Sequence, residues 1–312
     1  MRITNDMLTR QVLRDITLVM SKMQKTQSQI SSAKKIEKPS DDPVGITQLL
    51  AYKTDSAQGQ QYTNSIASCL NWLNSTSTTL TSVEDNLLSI IDLANQANTG
   101  LISAEDRSAL AEQVDQYLEE AYSLANTKTE GKSLFGGTQT LTQPFTATRE
   151  EKWAGEDPPT GKITGVTSGA NINNEILRTI GKDQTVQVNS KGGELFSPGA
   201  GSNMFDNIIA LRNALEDPDF DSGAVSGITT ALEDIFNRVV NENAIVGAKI
   251  NRLETTRERL NFESLSLTER ISDIGDTDIA KAFLEYQVQK NIYDASLSVG
   301  SQLIQNSLVD YL

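Results

Sequence analysis

The sequence contains no histidine among its 312 residues, and it contains a single cysteine, Cys69. Histidine is the commonest general base and the commonest zinc ligand, so its absence excludes Ser-His-Asp chemistry and most zinc sites. One cysteine excludes an intrachain disulfide, and the helical spacing of IASCLNWL predicts that Cys69 is a small buried side chain. The sequence also shows no convincing phosphate-binding loop or carboxylate dyad, so we predict no catalytic, metal-binding or cofactor-binding residues.

Aromatic residues and positive charge are also scarce. Aromatic residues make up 5% of the chain and hydrophobic residues 38%, which favours thin apolar seams over one thick core. The 27 Lys and Arg stand against 41 Asp and Glu, for a formal net charge of -14. Nucleic-acid affinity comes mostly from Lys and Arg neutralising phosphates, so we expect neither nucleic acid nor an anionic membrane as a partner.

Long apolar runs are missing as well. No stretch approaches the ~20 apolar residues of a membrane span. The segment MRITNDMLTRQVLRDITLVM (1–20) lacks the apolar centre of a secretory signal peptide, so we expect no export by the general secretory route.

Helical periodicity is present at both ends of the chain. A first seam, with alternating spacings of four and three, predicts a helix that needs a partner helix, and it comprises Val12, Ile16, Val19, Met23, Thr26, Ile30 and Ala33. A second apolar series follows DIGDTD (273–278), where Asp276 or Thr277 is the expected helix cap, and it comprises Ile279, Phe283, Tyr286, Tyr293, Leu297, Leu303 and Leu308. We expect these terminal helices to pair with each other.

The middle of the chain divides into helical and β-like parts. Helical patterns run from Pro43 to about Asn98, from a capping box at Ser103 and Asp106, and from about 224 to 274. Residues 136–203 hold most of the glycine and proline, with β-like runs at 162–167 and 184–189.

The predicted fold is therefore mainly α. We expect an elongated antiparallel helical rod, or coiled-coil bundle, built from both chain termini, with a small β-rich inserted outer domain. The predicted domains are a terminal coiled coil (1–39 with 276–312), a helical rod (40–143 with 204–275) and the β-rich outer domain (144–203).

The stretch KPSDDP (38–43) places two carboxylates next to each other. Pro39 is expected to end the terminal helix, Ser40 to be the N-cap of the next one, and Asp41 and Asp42 to lie in its first turn, where the helix dipole favours negative charge. Pro43 is tolerated there because first-turn N–H groups have no intrahelical acceptor. We therefore predict a helix cap and hinge, and not a metal site.

Several segments, in order along the chain, resemble the flagellin superfamily. They are MRITNDML (1–8), SSAKKIEKPSDDPVG (31–45), WLNSTSTTL (72–80), SLFGGTQTLTQPF (133–145), VGAKINRLE (246–254) and the C-terminal FLEYQVQKNIYDASLSVGSQLIQNSLVDYL (283–312). The Met-Arg-Ile start, the FGGTQT…PF segment and the SLVDYL ending resemble proteins that join the flagellar hook to the filament more than they resemble filament flagellins. Ala33 stands where the family usually has glycine, so we expect the first helix to run slightly further here.

The resemblance implies a structural subunit of the bacterial flagellum that is not an enzyme and is required for filament assembly and motility. It also implies export by the flagellar type III route without a cleaved signal peptide. The implied partners are further copies of the chain in a ring, the first hook-associated protein below, flagellin above and an export chaperone on the C-terminal helix. We hypothesise that the terminal helices fold fully when neighbouring subunits bury their seams.

Two alternatives stay open at this point. A filament flagellin or minor flagellin would have the same terminal segments, and a cytoplasmic coiled-coil scaffold would have the same heptads.

Overall fold

A computed structural model describes residues 5–99, 102–152, 161–197, 199 and 203–309. Its elements in chain order are α1 (Asn5–Ser32), α2 (Pro43–Ala97), α3 (Ala104–Ala125), β1 (Lys128–Thr129), β2 (Lys132–Ser133), β3 (Phe145–Arg149), β4 (Ile163–Ser168), β5 (Leu177–Gly181), β6 (Gln184–Gln187), α4 (Gly192–Phe196), α5 (Met204–Glu216), α6 (Ser222–Gly275) and α7 (Ile279–Val309).

This order confirms the prediction of a mainly α chain with a small β-rich insert. The strands form three separate antiparallel pairs, β1 with β2, β3 with β4 and β5 with β6. The β-like runs at 162–167 and 184–189 correspond to β4 and β6. The predicted start of α3 is also confirmed, because Ser103 Oγ accepts a hydrogen bond from the Asp106 amide at 3.1 Å and donates one to the Asp106 carboxylate at 2.7 Å.

The chain divides into two compact units. The terminal unit comprises residues 1–60 and 262–312, and the central unit comprises residues 61–261. The terminal unit thus contains α1, α7, the first part of α2 and the last part of α6. The three-domain division made from the sequence stays a prediction.

The central unit has a continuous apolar core. Four phenylalanines at its β-rich side, Phe135, Phe145, Phe196 and Phe205, are completely buried, and their ring centroids lie 5.0 to 6.5 Å apart. Edge-to-face and tilted pairs of this kind add stability beyond the area they bury. The core therefore joins the β-rich segment to the helices around it.

A buried ion pair connects three elements of the same unit. Arg212 Nη1 on α5 donates to Asp115 Oδ1 on α3 at 2.7 Å and to the Ile163 carbonyl on β4 at 2.9 Å. The side chains of Arg212 and Asp115 are only 4% and 9% exposed. A buried charge needs such partners, because its desolvation is otherwise uncompensated.

Within the described part of the chain, no helix is both long enough and apolar enough to span a membrane.

Candidate assembly interface

The terminal helices pair with each other, as the sequence predicts. Helices α1 and α7 run antiparallel: Ala33 contacts Thr277, Thr26 Oγ1 donates to Gln289 Oε1 at 3.1 Å, and Val12 lies beside Gly300. A Cβ on Gly300 would come within 3.2 Å of Val12 Cγ1, so glycine allows the two backbones to approach closely.

The predicted residues of α1 share one face of the helix. Val12, Ile16, Val19, Met23 and Ile30 are all half-buried, and Val12 and Ile16 lie beside Gly300 of α7. The sequence identified this face because α1 is amphipathic: one stripe along the helix is clearly more apolar than the rest of its surface.

The predicted residues of α7 divide between two surfaces. Tyr286 and Tyr293 are half-buried on the side that faces α1, whereas Ile279, Phe283 and Leu297 are 53%, 51% and 44% exposed. The side chains of Leu303 and Leu308 lie outside the described residues. The α7 series is therefore not one seam against α1, although its role in contacts between subunits stays a prediction.

The true seam of α7 includes residues that sequence analysis missed. At spacings of four and three, the side facing α1 carries Ala282, Tyr286, Gln289, Tyr293, Ser296 and Gly300. Four of these six are small or polar, so hydrophobicity did not mark them. The signal that could have found them is the regular spacing itself, with Gln289 positioned opposite the buried Thr26.

Helix α7 is apolar around most of its circumference. Besides Phe283 and Leu297 on one flank, it exposes Leu284, Val288, Ile292 and Val299, each between 47% and 67% exposed, on the other. A helix that is hydrophobic on all sides is normally buried on all sides. Since α1 covers only one side, α7 has apolar surface for further helices.

Helix α1 differs from α7 in this respect. Its outer side carries polar residues such as Arg14, Ser21 and Lys25, with exposed Leu13 and Leu18 at the margins of the seam. In the assembled state we therefore expect α7 to be the more deeply buried of the two helices.

The link between α1 and α2 begins earlier than predicted. Helix α1 ends at Ser32, so the expectation that Ala33 extends it is wrong, and Pro39 does not end it. Ala33 has a φ of 56°, the left-handed conformation that commonly terminates helices and usually requires glycine. Its carbonyl accepts the Thr277 amide at 3.0 Å, which offsets the strain.

The N-cap of α2 also differs from the prediction. Asp42 is the cap, because its Oδ1 accepts hydrogen bonds from the amides of Val44 and Gly45 at 3.1 and 2.9 Å, and Pro43 is the first helical residue. Ser40 is exposed in a turn closed by the Asp41 amide and the Lys38 carbonyl at 2.9 Å. Ser40 is therefore not the cap, and neither aspartate lies in the first turn. Asp42 is the cap rather than Ser40 because Pro43 follows it directly, and proline is favoured at the first helical position after a cap.

The N-cap of α7 also lies further along the chain than predicted. Asp278 Oδ1 accepts the Lys281 amide at 3.1 Å, so Asp278 is the cap, and the predictions of Asp276 or Thr277 are wrong. Asp276 instead bonds Lys34 Nζ at 2.6 Å and Ser272 Oγ at 2.8 Å. The Lys34 ammonium and the Ser272 hydroxyl together lower the pKa of the Asp276 carboxyl.

The α1–α2 link is bonded back to α1. The Asp41 carboxylate contacts Lys25 Nζ at 2.8 Å and accepts the Lys38 amide at 3.0 Å, and the Lys25 bond is the main cause that lowers the Asp41 pKa. Glu37 accepts hydrogen bonds from Ser32 and Ser28, which lower the Glu37 pKa. All these groups are solvent-accessible, so the link is held by many weak polar contacts.

Within the described ranges, no cluster of three or more Cys, Asp or Glu side chains is arranged to hold a metal ion.

Comparison with known proteins gives matches at both ends of the chain. Residues 3–140 match the bacterial flagellin N-terminal helical region, and residues 229–312 match the bacterial flagellin C-terminal helical region. The first region contains α1, α2 and α3, and the second contains most of α6 and all of α7.

Individual relatives extend these matches. The flagellar hook-associated protein 3 of Escherichia coli (strain K12) is 26% identical over 314 residues, which cover 95% of each chain. A flagellin of Treponema pallidum is 25% identical over 82% of this chain and 80% of its own. A solved Vibrio parahaemolyticus structure, assigned as a flagellar hook-associated protein, aligns with a TM-score of 0.65 and 25% identity over 76% of this chain and 100% of that one. Since both flagellin regions are present and the fold agrees, the chain belongs to the flagellin superfamily.

Proposed function

We propose that the chain is a structural subunit of the bacterial flagellum that joins the hook to the flagellin filament. The observation that carries this proposal is the match to hook-associated protein 3 of Escherichia coli, which spans 95% of both chains and includes the central β-rich segment. Such a subunit acts by binding its neighbours, and the exposed apolar residues of α7 provide a surface for such contacts.

The apolar surface of α7 supports assembly as the mechanism. Phe283, Leu284, Val288 and Ile292 are about half or more exposed in the isolated chain. At about 25 cal/mol per Å² of apolar surface, their burial by neighbouring subunits would contribute several kcal/mol per subunit. A single pair of helices is marginal in water, so neighbouring subunits would complete the ordering of the terminal helices on assembly.

The segment Pro39–Pro43 is the proposed hinge within this mechanism. Asp42 holds the start of α2, while Asp41 bonds Lys25 of α1 through an accessible contact. Exposed ion pairs are weak, so the Asp41–Lys25 contact can exchange for contacts with a neighbouring subunit.

The partners follow from the position of a junction subunit. They are further copies of the chain in a ring, the first hook-associated protein on the hook side, flagellin on the filament side and an export chaperone on the C-terminal helix. Export would use the flagellar type III route, without a cleaved signal peptide, and the protein would be extracellular in the flagellum. A chain without a disulfide suits export in an unfolded form.

Gene deletion tests the proposal directly. Cells that lack this chain should build complete hooks, carry no filaments and release flagellin into the medium, and the intact gene on a plasmid should restore the filaments. Normal filaments in the deletion strain would contradict the junction role.

A filament flagellin is the second candidate, and the match to a Treponema pallidum flagellin favours it. Electron microscopy of the purified chain after salt-induced polymerisation separates the two, because a flagellin forms long filaments and a junction subunit does not. A cytoplasmic scaffold is separated by fractionation, since a scaffold would be absent from the culture medium and from isolated flagella.

A further inference from the structure

The central unit contains a cleft of about 680 Å³ between helix α2 and the β-rich segment. Small-molecule sites typically have volumes of about 300–1,000 Å³, so the cleft can hold a ligand of one or two rings. One wall is formed by Ser68, Cys69 and Trp72 of α2, and the opposite wall by the β1–β2 hairpin and the residues around the start of β5.

The inner surface of the cleft contains apolar side chains. Cys69 and Val188 are buried at 2% and 5% exposure. The Trp72 ring also lines the cleft, and its Nε1–H is buried with no acceptor among the residues that the structure describes. The Trp72 side chain therefore contributes an aromatic ring to the lining of the cleft.

The rim of the cleft carries charges that do not pair with one another. Glu130, Lys132 and Arg178 line the cleft, and none of them has an ion-pair partner within the described ranges, whereas Glu175 bonds Lys191 Nζ at 3.3 Å. The unpaired groups thus comprise two cations and one anion. With Glu175 included, the lining carries two cations and two carboxylates, and Glu175 is the one that has an ion-pair partner outside the cleft.

Hydroxyl groups complete the lining. The Thr140 hydroxyl makes no hydrogen bond among the described residues, so it can both donate and accept. Ser68 Oγ donates to the Asn64 carbonyl at 3.2 Å and keeps its lone pairs for a ligand donor.

We propose that this cleft binds an acidic monosaccharide, a pyranose ring that carries a carboxylate. Arg178 and Lys132 bind the carboxylate, since guanidinium and ammonium groups form strong charge-assisted hydrogen bonds with it. Trp72 packs against the C–H face of the sugar ring. Glu130, Ser68 and Thr140 bind the ring hydroxyls, which explains an unpaired carboxylate beside two cations. The site is separate from the helices that carry the proposed junction function.

Binding of glucuronate to the full-length chain tests the proposal. Titration calorimetry should show glucuronate binding at least about tenfold more tightly than glucose, which lacks the carboxylate, and than glutarate, which lacks the ring. Trp72 provides a second readout, because glucuronate should change its fluorescence in a Trp153→Phe background.

Substitutions at the rim give the matched controls. Arg178→Gln and Lys132→Gln should each weaken glucuronate binding by about tenfold, the typical size of a lost charge-assisted hydrogen bond. Lys128→Gln removes a cation from the same hairpin outside the cleft and should leave the affinity unchanged. All three positions are exposed, and circular dichroism checks that the variants fold.

Three results would overturn the proposal. They are the absence of glucuronate binding, an equal loss with Lys128→Gln, and binding of glutarate or of an acidic peptide as tight as that of glucuronate. The last result would assign the cleft to an acidic protein segment.

Discussion

Ala33 carries the clearest strain at the level of single residues. It holds a φ of 56° at the end of α1, where a Cβ is unfavourable by roughly 1–2 kcal/mol. The conformation persists because the carbonyl of Ala33 and the amide of Lys35 bond the segment before α7, at 3.0 and 2.7 Å. Tertiary hydrogen bonds thus determine the backbone conformation that glycine usually provides.

Substitution of Ala33 by glycine should therefore stabilise the link. Relief of strain exceeds the added entropy of the unfolded chain by about 0.5–1 kcal/mol. Hydrogen exchange of the Lys35 and Thr277 amides should slow by about threefold. Ala57→Gly, at an exposed position inside α2, should instead lower the stability of the folded chain, because glycine weakens helix interiors. Faster exchange in Ala33→Gly would show that the strain is compensated elsewhere.

A second residue, Asp276, makes the stability of the folded chain depend on pH. Lys34 and Ser272 lower its pKa in the folded chain, so its contribution to stability is present at neutral pH. The contribution is lost as pH falls below the ordinary aspartate pKa of about 3.9 and through the lower folded value.

The order of these electrostatic causes is testable by NMR titration. Lys34→Gln should raise the Asp276 pKa toward its ordinary value, and Lys53→Gln should raise it less, because Lys53 is the smaller influence. High salt should reduce the difference, since the pair is exposed. An Asp276 pKa that does not respond to Lys34→Gln would show that the contact with Ser272 dominates.

At the level of elements, the Arg212–Asp115 pair determines how α3, α5 and β4 meet. Both side chains are almost fully buried, and Arg212 also bonds the Ile163 carbonyl of β4. The pair orients three elements through one guanidinium group. It is a source of specificity because either charge alone would be buried without compensation.

Asp115→Asn should therefore destabilise the central unit by about 3–5 kcal/mol. The expected readout is a lower thermal midpoint in circular dichroism. Glu119→Gln, on the same helix, removes the partner of the half-buried Arg149 and should cost about 1 kcal/mol or less. The double variant Asp115→Leu/Arg212→Met should recover much of the loss, because no unpaired charge remains. Equal effects of Asp115→Asn and Glu119→Gln would contradict this account.

At the level of the whole molecule, α7 has one surface that packs within the chain and another that is available for assembly. Tyr286 faces α1 within the chain, whereas Leu297 is 44% exposed on the outer surface. The same kind of substitution should therefore have different consequences at the two positions.

Leu297→Asp should leave the helical signal of the purified chain unchanged but abolish filaments, because a charge would enter the contact between subunits. Tyr286→Asp should also reduce the helical signal, since it disrupts the pairing of α1 with α7. Ser21→Asp, on the polar outer side of α1, serves as the control and should support motility in soft agar in a deletion strain. Full motility of Leu297→Asp would show that this flank of α7 is not an assembly surface.

Much of the architecture could be predicted from the sequence because its determinants are local. The helical spacing of apolar residues, and the glycines and prolines that interrupt it, located the long helices. The Ser103–Asp106 pair marked the start of α3. The α1 seam was identified because α1 has a single apolar stripe. The α7 seam was not, because α7 is apolar on several sides and periodicity cannot choose among them.

The sequence by itself determined the helical class, the β-rich insert, the lack of histidine chemistry and the family. Only the tertiary structure decided that Asp42 and Asp278 cap their helices, that Ala33 terminates α1, and that Gln289 and Gly300 rather than Phe283 and Leu297 face α1. The physical reason is that these choices depend on partners far away in the chain. The sequence around Ala33 does not indicate that Thr277 will donate a hydrogen bond to it. The sequence around Gly300 likewise does not indicate that Val12 will pack against it.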